Sequence, residues 1–131
     1  MIVLDTHALL WWVSDPALLS RRARAAVDGA AERRAVHVSC ISAWEIALLV
    51  SRGRLSLSID PQEWVERCES LPFFNFVPVD NRIAIKSVTL PAALHNDPAD
   101  RIIIATALSL NAVLITKDTK IRRFRGIKTV W

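Results

Sequence analysis

The sequence predicts an α/β fold, a central and mainly parallel β-sheet flanked by α-helices. Short apolar runs recur along the chain at Ile2-Val3-Leu4, Val36-His37-Val38, Phe73 to Val79 and Val113-Leu114-Ile115. Each has strand length rather than helix length. Between them lie longer segments of helical periodicity, opened by Ser or Asp and closed by Gly, Asn or Pro. Strands that alternate with helices run parallel and are covered on both faces.

The elements follow in order. Met1 to Leu4 is a buried strand ending at Asp5, and Thr6 to Val13 a helix with Asp5 or Thr6 near its cap. Ser20 starts a second helix, Arg21 to about Arg34, rich in Ala and Arg. A short strand, Val36 to Cys40, precedes Ser42-Ala43-Trp44-Glu45, which has capping-box spacing and opens a helix that Gly53 stops. Asp60-Pro61-Gln62-Glu63 repeats a start signal, with Pro at the first helical position. Phe73 to Val79 is a strand, Asp80 caps a helix that ends before Pro91, and His95 to Pro98 is a loop. Asp100 opens a helix from Arg101 to Leu110, with Asn111 as a left-handed stop. Ala112 to Thr116 is a strand, Thr119 to Phe124 a helical turn and Ile127 to Trp131 a final edge strand.

With 131 residues, 52% of them hydrophobic, the chain suits one compact domain spanning residues 1–131. No apolar run approaches the ~20 residues of a membrane span, and no secretory leader pattern opens the chain. Two cysteines, Cys40 and Cys68, are too few for a disulfide framework and fit a reducing cytoplasm. The net charge of +4 comes from clustered arginines and lysines, notably Lys117, Lys120, Arg122 and Arg123. Basic surface around an acidic pocket fits a polyanionic substrate.

Asp5 and Asp118 follow strand-like runs, and Glu45 and Asp100 open helix-like segments. In a parallel α/β sheet these positions share one edge, where ligands bind. Acids gathered there repel one another unless a cation sits among them, which points to a divalent metal site. Carboxylates suit Mg2+, which keeps several of its waters. Each acid also has a local reading: Glu45 as the third position of a capping box, Asp100 as an N-cap, Asp118 as a turn former. Asp5 has no evident packing purpose.

His7 and His95 flank acids, but zinc sites want several Cys or His ligands at short spacing, and here acids dominate. His95 reads as a loop hydrogen-bonder and Cys40 as a small buried hydrophobe. Trp11 and Trp12 are adjacent, so one packs inward while the other is available to a partner surface. Two other function classes compete. A phospho-receiver module would use Asp80 as phosphoacceptor, although it wants paired acids after the first strand, where Thr6 and His7 stand. A non-catalytic scaffold would have no reason to keep mutually repelling acids.

Leu4-Asp5-Thr6-His7-Ala8-Leu9-Leu10-Trp11-Trp12, Ser42-Ala43-Trp44-Glu45-Ile46-Ala47, the stretch from His95-Asn96-Asp97-Pro98-Ala99-Asp100-Arg101 to Ala107, and Ile115-Thr116-Lys117-Asp118 occur in this order. Together they resemble the PIN-domain ribonucleases, and most closely the VapC toxins of bacterial toxin–antitoxin pairs. The resemblance covers essentially the whole chain. It implies a PIN-like fold and an Mg2+- or Mn2+-dependent endoribonuclease that uses water as nucleophile and leaves a 5′-phosphate. Asp5, Glu45, Asp100 and Asp118 match the family's acidic site, and Thr116 its Thr/Ser near the last acid. Thr6 and Asp97 are expected to support the ligands, with Asp97 a competitor of Asp100 for direct ligation. Arg101 is expected to pair with a site acid or contact phosphate; with Lys117, Lys120, Arg122 and Arg123 it is an RNA-binding candidate. A homodimer neutralised by a VapB-like antitoxin is likewise implied.

Overall fold

Five parallel strands form the sheet of the computed structural model, which describes residues 1–131. They are β1 (Ile2–Leu4), β2 (Val36–Ser39), β3 (Phe74–Val77), β4 (Val113–Ile115) and β5 (Thr129–Val130). The helices are α1 (Thr6–Ser14), α2 (Arg21–Glu32), α3 (Ile41–Ser51), α4 (Pro61–Glu69), α5 (Asn81–Thr89), α6 (Pro98–Ser109) and α7 (Thr119–Arg123). A single 3-10 turn, Pro16–Leu18, follows α1.

The sheet order is β3-β2-β1-β4-β5. From β1 the chain builds outward to β2 and β3, then returns to place β4 on the other side of β1. The order therefore reverses between β1 and β4, and such a reversal opens a crevice beyond the strand C-termini. Both ladders of β1 are in register at Leu4, against Val38 on one side and Ile115 on the other. The Asp5 amide extends the second ladder by donating to the Ile115 carbonyl at 3.1 Å.

Alternation of side chains along β1 divides the interior. Ile2 and Leu4 join one apolar cluster with Leu9, Ala23, Val27, Ile46 and Trp64, from α1 to α4. Val3 joins the other with Ile103, Ile104, Leu114 and Ile121, from α6, β4 and α7. The sheet is thus covered on both faces, so β1 and β4 read as continuous apolar runs rather than alternating ones. No helix is long and apolar enough to cross a membrane.

Three local expectations change. The predicted capping box at Ser42 does not form: α3 starts at Ile41, whose amide donates to Ser39 Oγ at 3.2 Å, so a residue at the end of β2 starts the helix. Ser42 is instead fully buried within the first turn. The cap of α6 is Asp97 rather than Asp100, because Pro98 takes the first helical position and Ala99 N–H donates to Asp97 Oδ1 at 2.8 Å. Cys40, expected to be buried, is exposed just before α3, whereas Asp80 caps α5 as expected, through Ile83 N–H at 2.8 Å. Asn111 does take the left-handed conformation, with φ of 50°.

Candidate active site

Three helix N-termini meet at the crevice, and each is capped by an aspartate. Asp5 Oδ1 accepts from Ala8 N–H at 2.8 Å at the start of α1. Asp97 caps α6, and Asp118 Oδ1 accepts from Lys120 N–H at 2.8 Å and Ile121 N–H at 3.1 Å at the start of α7. Capping consumes only one oxygen of a carboxylate, so the local and the site readings of these acids are compatible. Helix N-termini also carry partial positive charge, which offsets some of the mutual repulsion.

Asp100 lies in the first turn of α6 and is free of capping duty. Glu45 comes from the second turn of α3, and its position is set by α1: Thr6 Oγ1 donates to Glu45 Oε1 at 2.6 Å. With its proton committed there, Thr6 Oγ1 accepts from Ser42 Oγ at 2.9 Å. Thr116, buried after β4, accepts from Asp118 N–H at 3.1 Å and hydrogen-bonds Asp5. A cavity of about 210 Å3 results, lined by Asp5, Thr6, His7, Trp11, Glu45, Asp97, Asp100, Lys117 and Asp118.

Burial raises the Asp5 carboxyl above its ordinary range, against the hydrogen bonds of Thr116 and Ala8. Burial also raises Glu45, opposed by the Thr6 hydroxyl and reinforced by the charge of Asp97. Asp100 is pushed up to about 7, first by burial, then by Asp97, with His95 opposing. Asp118 goes the other way. Burial works against its charge, but hydrogen bonds from His95, Ile121 and Lys120 hold it below the usual range. Burial is the first cause of all three raised acids, with neighbouring carboxylates adding to it, and a cation among them would favour their charged forms.

The donor atoms suit a divalent cation. One oxygen each from Glu45, Asp97 and Asp100 lie within 4.8 Å of one another, a set of hard oxygen ligands. His95, Asp100 and Asp118 form a second group within the same span. His95 is the loop hydrogen-bonder expected, and its partners are the site acids: its Nε2 is 2.9 Å from Asp118 Oδ2 and 3.3 Å from Asp100 Oδ2.

The basic candidates divide. Lys117 and Lys120 stand at the mouth with His95 and Asp118. Lys117 Nζ also lies 5.8 Å from the centre of the Trp11 ring. Arg122 and Arg123 line a neighbouring concavity with Arg22 and Trp131. Arg101 pairs with no acid of the site. Its guanidinium donates to the carbonyls of Ser87 (2.9 Å), Leu90 (2.6 Å), Pro91 (3.0 Å) and His95 (3.1 Å) and reaches that of Val88 (3.5 Å). All five belong to the end of α5 and the connection to α6, which Arg101 ties down. Trp12 packs edge-on against Phe73 and Phe74, whereas Trp11 is the one that faces the cavity.

The sequence profile of the PIN domain family matches residues 2–127. The chain belongs to the PIN-domain family. Ribonuclease VapC22 of Mycobacterium tuberculosis is 34% identical over 132 residues, spanning 99% of this chain and 98% of that relative. Among solved structures, this PIN domain superposes with a TM-score of 0.73 on a chain of VapBC2 from Rickettsia felis bound to a promoter DNA fragment. Identity there is 17%, covering 99% of this chain and 98% of the other. DNA-bound VapBC from Salmonella typhimurium gives a TM-score of 0.69 at 19% identity, covering 98% and 96%. Both structural likenesses speak for the PIN fold. Membership removes the phospho-receiver reading, and Asp80 has none of the acids named above beside it in the cavity.

Proposed function

We propose that this protein is a VapC-type toxin, an endoribonuclease that hydrolyses RNA phosphodiester bonds with Mg2+, or Mn2+, as cofactor and is neutralised by a VapB-like antitoxin. The observation that carries the reading is the meeting of Asp5, Glu45, Asp97, Asp100 and Asp118, from remote parts of the chain, in one small cavity. A non-catalytic scaffold has no use for that convergence.

Glu45, Asp97 and Asp100 would hold the ion, with Asp5 and Asp118 beside them as ligands or as acceptors for its waters. A bound divalent cation supplies Lewis acidity, drawing water toward hydroxide near neutral pH and neutralising charge on phosphate oxygens. The rest falls to side chains. Thr6 fixes Glu45 against α1, and Thr116 ties Asp5 to Asp118, so the acids keep their spacing without a substrate. Lys117 and Lys120 stand where phosphates flanking the scissile bond would pass, and Trp11 offers a stacking face for a base.

The reading includes a homodimer in the cytoplasm. Trp44 on α3 and Ile85 and Val88 on α5 are 56%, 66% and 78% exposed, apolar side chains that contact with a second copy would bury.

The test is cleavage of single-stranded RNA by purified protein with Mg2+, compared with Asp5→Asn, Asp100→Asn and wild type in excess EDTA. All three are expected to lose activity while circular dichroism is unchanged. Wild-type rates from both variants would show that the site is elsewhere.

A further inference from the structure

Asp100 and Asp118 share a neighbour, His95, whose Nε2 lies 3.3 Å from one carboxylate and 2.9 Å from the other, so it stands either as a third ligand or as a donor to both. Distance alone leaves the matter open. Two ligands at right angles on one ion, each about 2.1 Å from it, stand about 3 Å apart. His95 Nε2 and Asp118 Oδ2 at 2.9 Å would satisfy that spacing.

The other ring nitrogen resolves it. His95 Nδ1 is 3.1 Å from the backbone nitrogen of Asp97, which donates its N–H to it. Nδ1 therefore carries a lone pair, and the proton of the neutral ring is on Nε2, pointing at Asp118 Oδ2 and Asp100 Oδ2. A histidine that ligates through Nε2 needs the opposite arrangement, with Nδ1–H donating to a carbonyl or carboxylate. Here the donor facing Nδ1 is a peptide N–H in the turn that starts α6, where Pro98 and the Asp97 cap fix the backbone. Arg101 adds a second restraint by holding the His95 carbonyl at 3.1 Å.

Resting on the metal-dependent reading above, we propose that His95 is a positioning residue. It is a fixed N–H donor that takes the place of a second cation between Asp100 and Asp118. The cavity then holds one divalent ion, on the side of Glu45, Asp97 and Asp100. His95 keeps Asp118 turned toward Asp100 and closes that half of the acid cluster to metals.

The chain has three histidines, His7, His37 and His95, so the ring nitrogens are separable by long-range 1H–15N correlation on histidine-labelled protein. The expected result is an Nε2–H tautomer for His95 both before and after saturation with Mg2+. Mn2+ counted by paramagnetic resonance is expected at one per chain in the wild type and two in His95→Ala. His95→Gln, which keeps an N–H donor, is expected to remain at one. Conversion of His95 to the Nδ1–H tautomer on adding Mg2+, or two Mn2+ ions in the wild type, would overturn the proposal. An equal count in wild type and His95→Ala would do the same. Should His95→Ala fail to fold, the tautomer and the wild-type count decide. None of these measurements requires RNA cleavage, so they separate failure of this proposal from failure of the nuclease reading.

Discussion

The hydroxyl of Thr6, buried at the start of α1, donates to Glu45 Oε1 at 2.6 Å across 39 residues of sequence. It also accepts from Ser42 Oγ, so two hydroxyls from different helices aim one carboxylate. Thr6→Val keeps the shape, strips Glu45 of its donor and leaves the Ser42 hydroxyl unpaired. Loss of a buried hydrogen-bond partner costs about 1–3 kcal/mol, and groups that orient metal ligands are worth roughly 10–100-fold in activity. Urea denaturation and RNA cleavage rates should show both losses, and Thr6→Ser should recover most of the activity. Unchanged cleavage by Thr6→Val would leave Glu45 without a role that depends on its placement.

Metal-free protein should lose stability as pH rises. Asp100 titrates at about 7 in the folded state, against an ordinary 3.8 when unfolded. The folded state therefore binds the proton more tightly. Its contribution is full below pH 3.8 and disappears as pH climbs through 7. In EDTA, the unfolding free energies of wild type and Asp100→Asn should diverge between pH 5 and pH 8, with the variant gaining relative to wild type at pH 8. Parallel curves for the two proteins would contradict the raised Asp100 carboxyl. Adding Mg2+ at pH 8 should raise the wild-type midpoint by mass action.

Arg101 is expected to act through the fold. Arg101→Met removes donors from five carbonyls at the α5–α6 connection. A loss on the order of 2–4 kcal/mol is anticipated, since hydrogen bonds from a charged donor are worth about 1.5–3 kcal/mol each but are partly replaced by water. The salt dependence of RNA affinity should keep its slope, because no phosphate contact has gone. A slope that falls as for a phosphate-binding residue would make Arg101 an RNA contact as well.

Lys117→Ala and Lys120→Ala should behave in the opposite way. Both side chains are exposed beside the cavity mouth, so stability should change little. Each lost phosphate contact should flatten the plot of log affinity against log salt by about 0.7 for single-stranded RNA. Binding of a catalytically dead Asp5→Asn variant to labelled RNA at several salt concentrations measures this directly.

The sheet, its helices and the edge that gathers the acids were legible because they rest on local signals, namely apolar runs, caps and stops. Strand-following Asp5 and Asp118 fell where that logic put them. The start of α3 did not. Ser42 and Glu45 have capping-box spacing, but α3 already starts at Ile41, whose amide donates to Ser39 Oγ, and both side chains face Thr6 instead. No pattern within ten residues distinguishes these cases. The start of α6 carried a local signal, since Asp97-Pro98 has the form of Asp60-Pro61 at the start of α4, but the carbonyl partners of Arg101 converge only when α5 and α6 pack.

The shared duty of Asp5, Asp97 and Asp118 bears on how inactive versions of the protein should be made. Alanine at any of them would unseat a helix as well as disarm the chemistry, at about 1 kcal/mol per cap. Asparagine preserves the oxygen that starts the helix and discards only the charge. Crystallisation or antitoxin-binding work that needs a harmless protein is therefore better served by amides, and an alanine scan would overstate what these positions contribute to turnover.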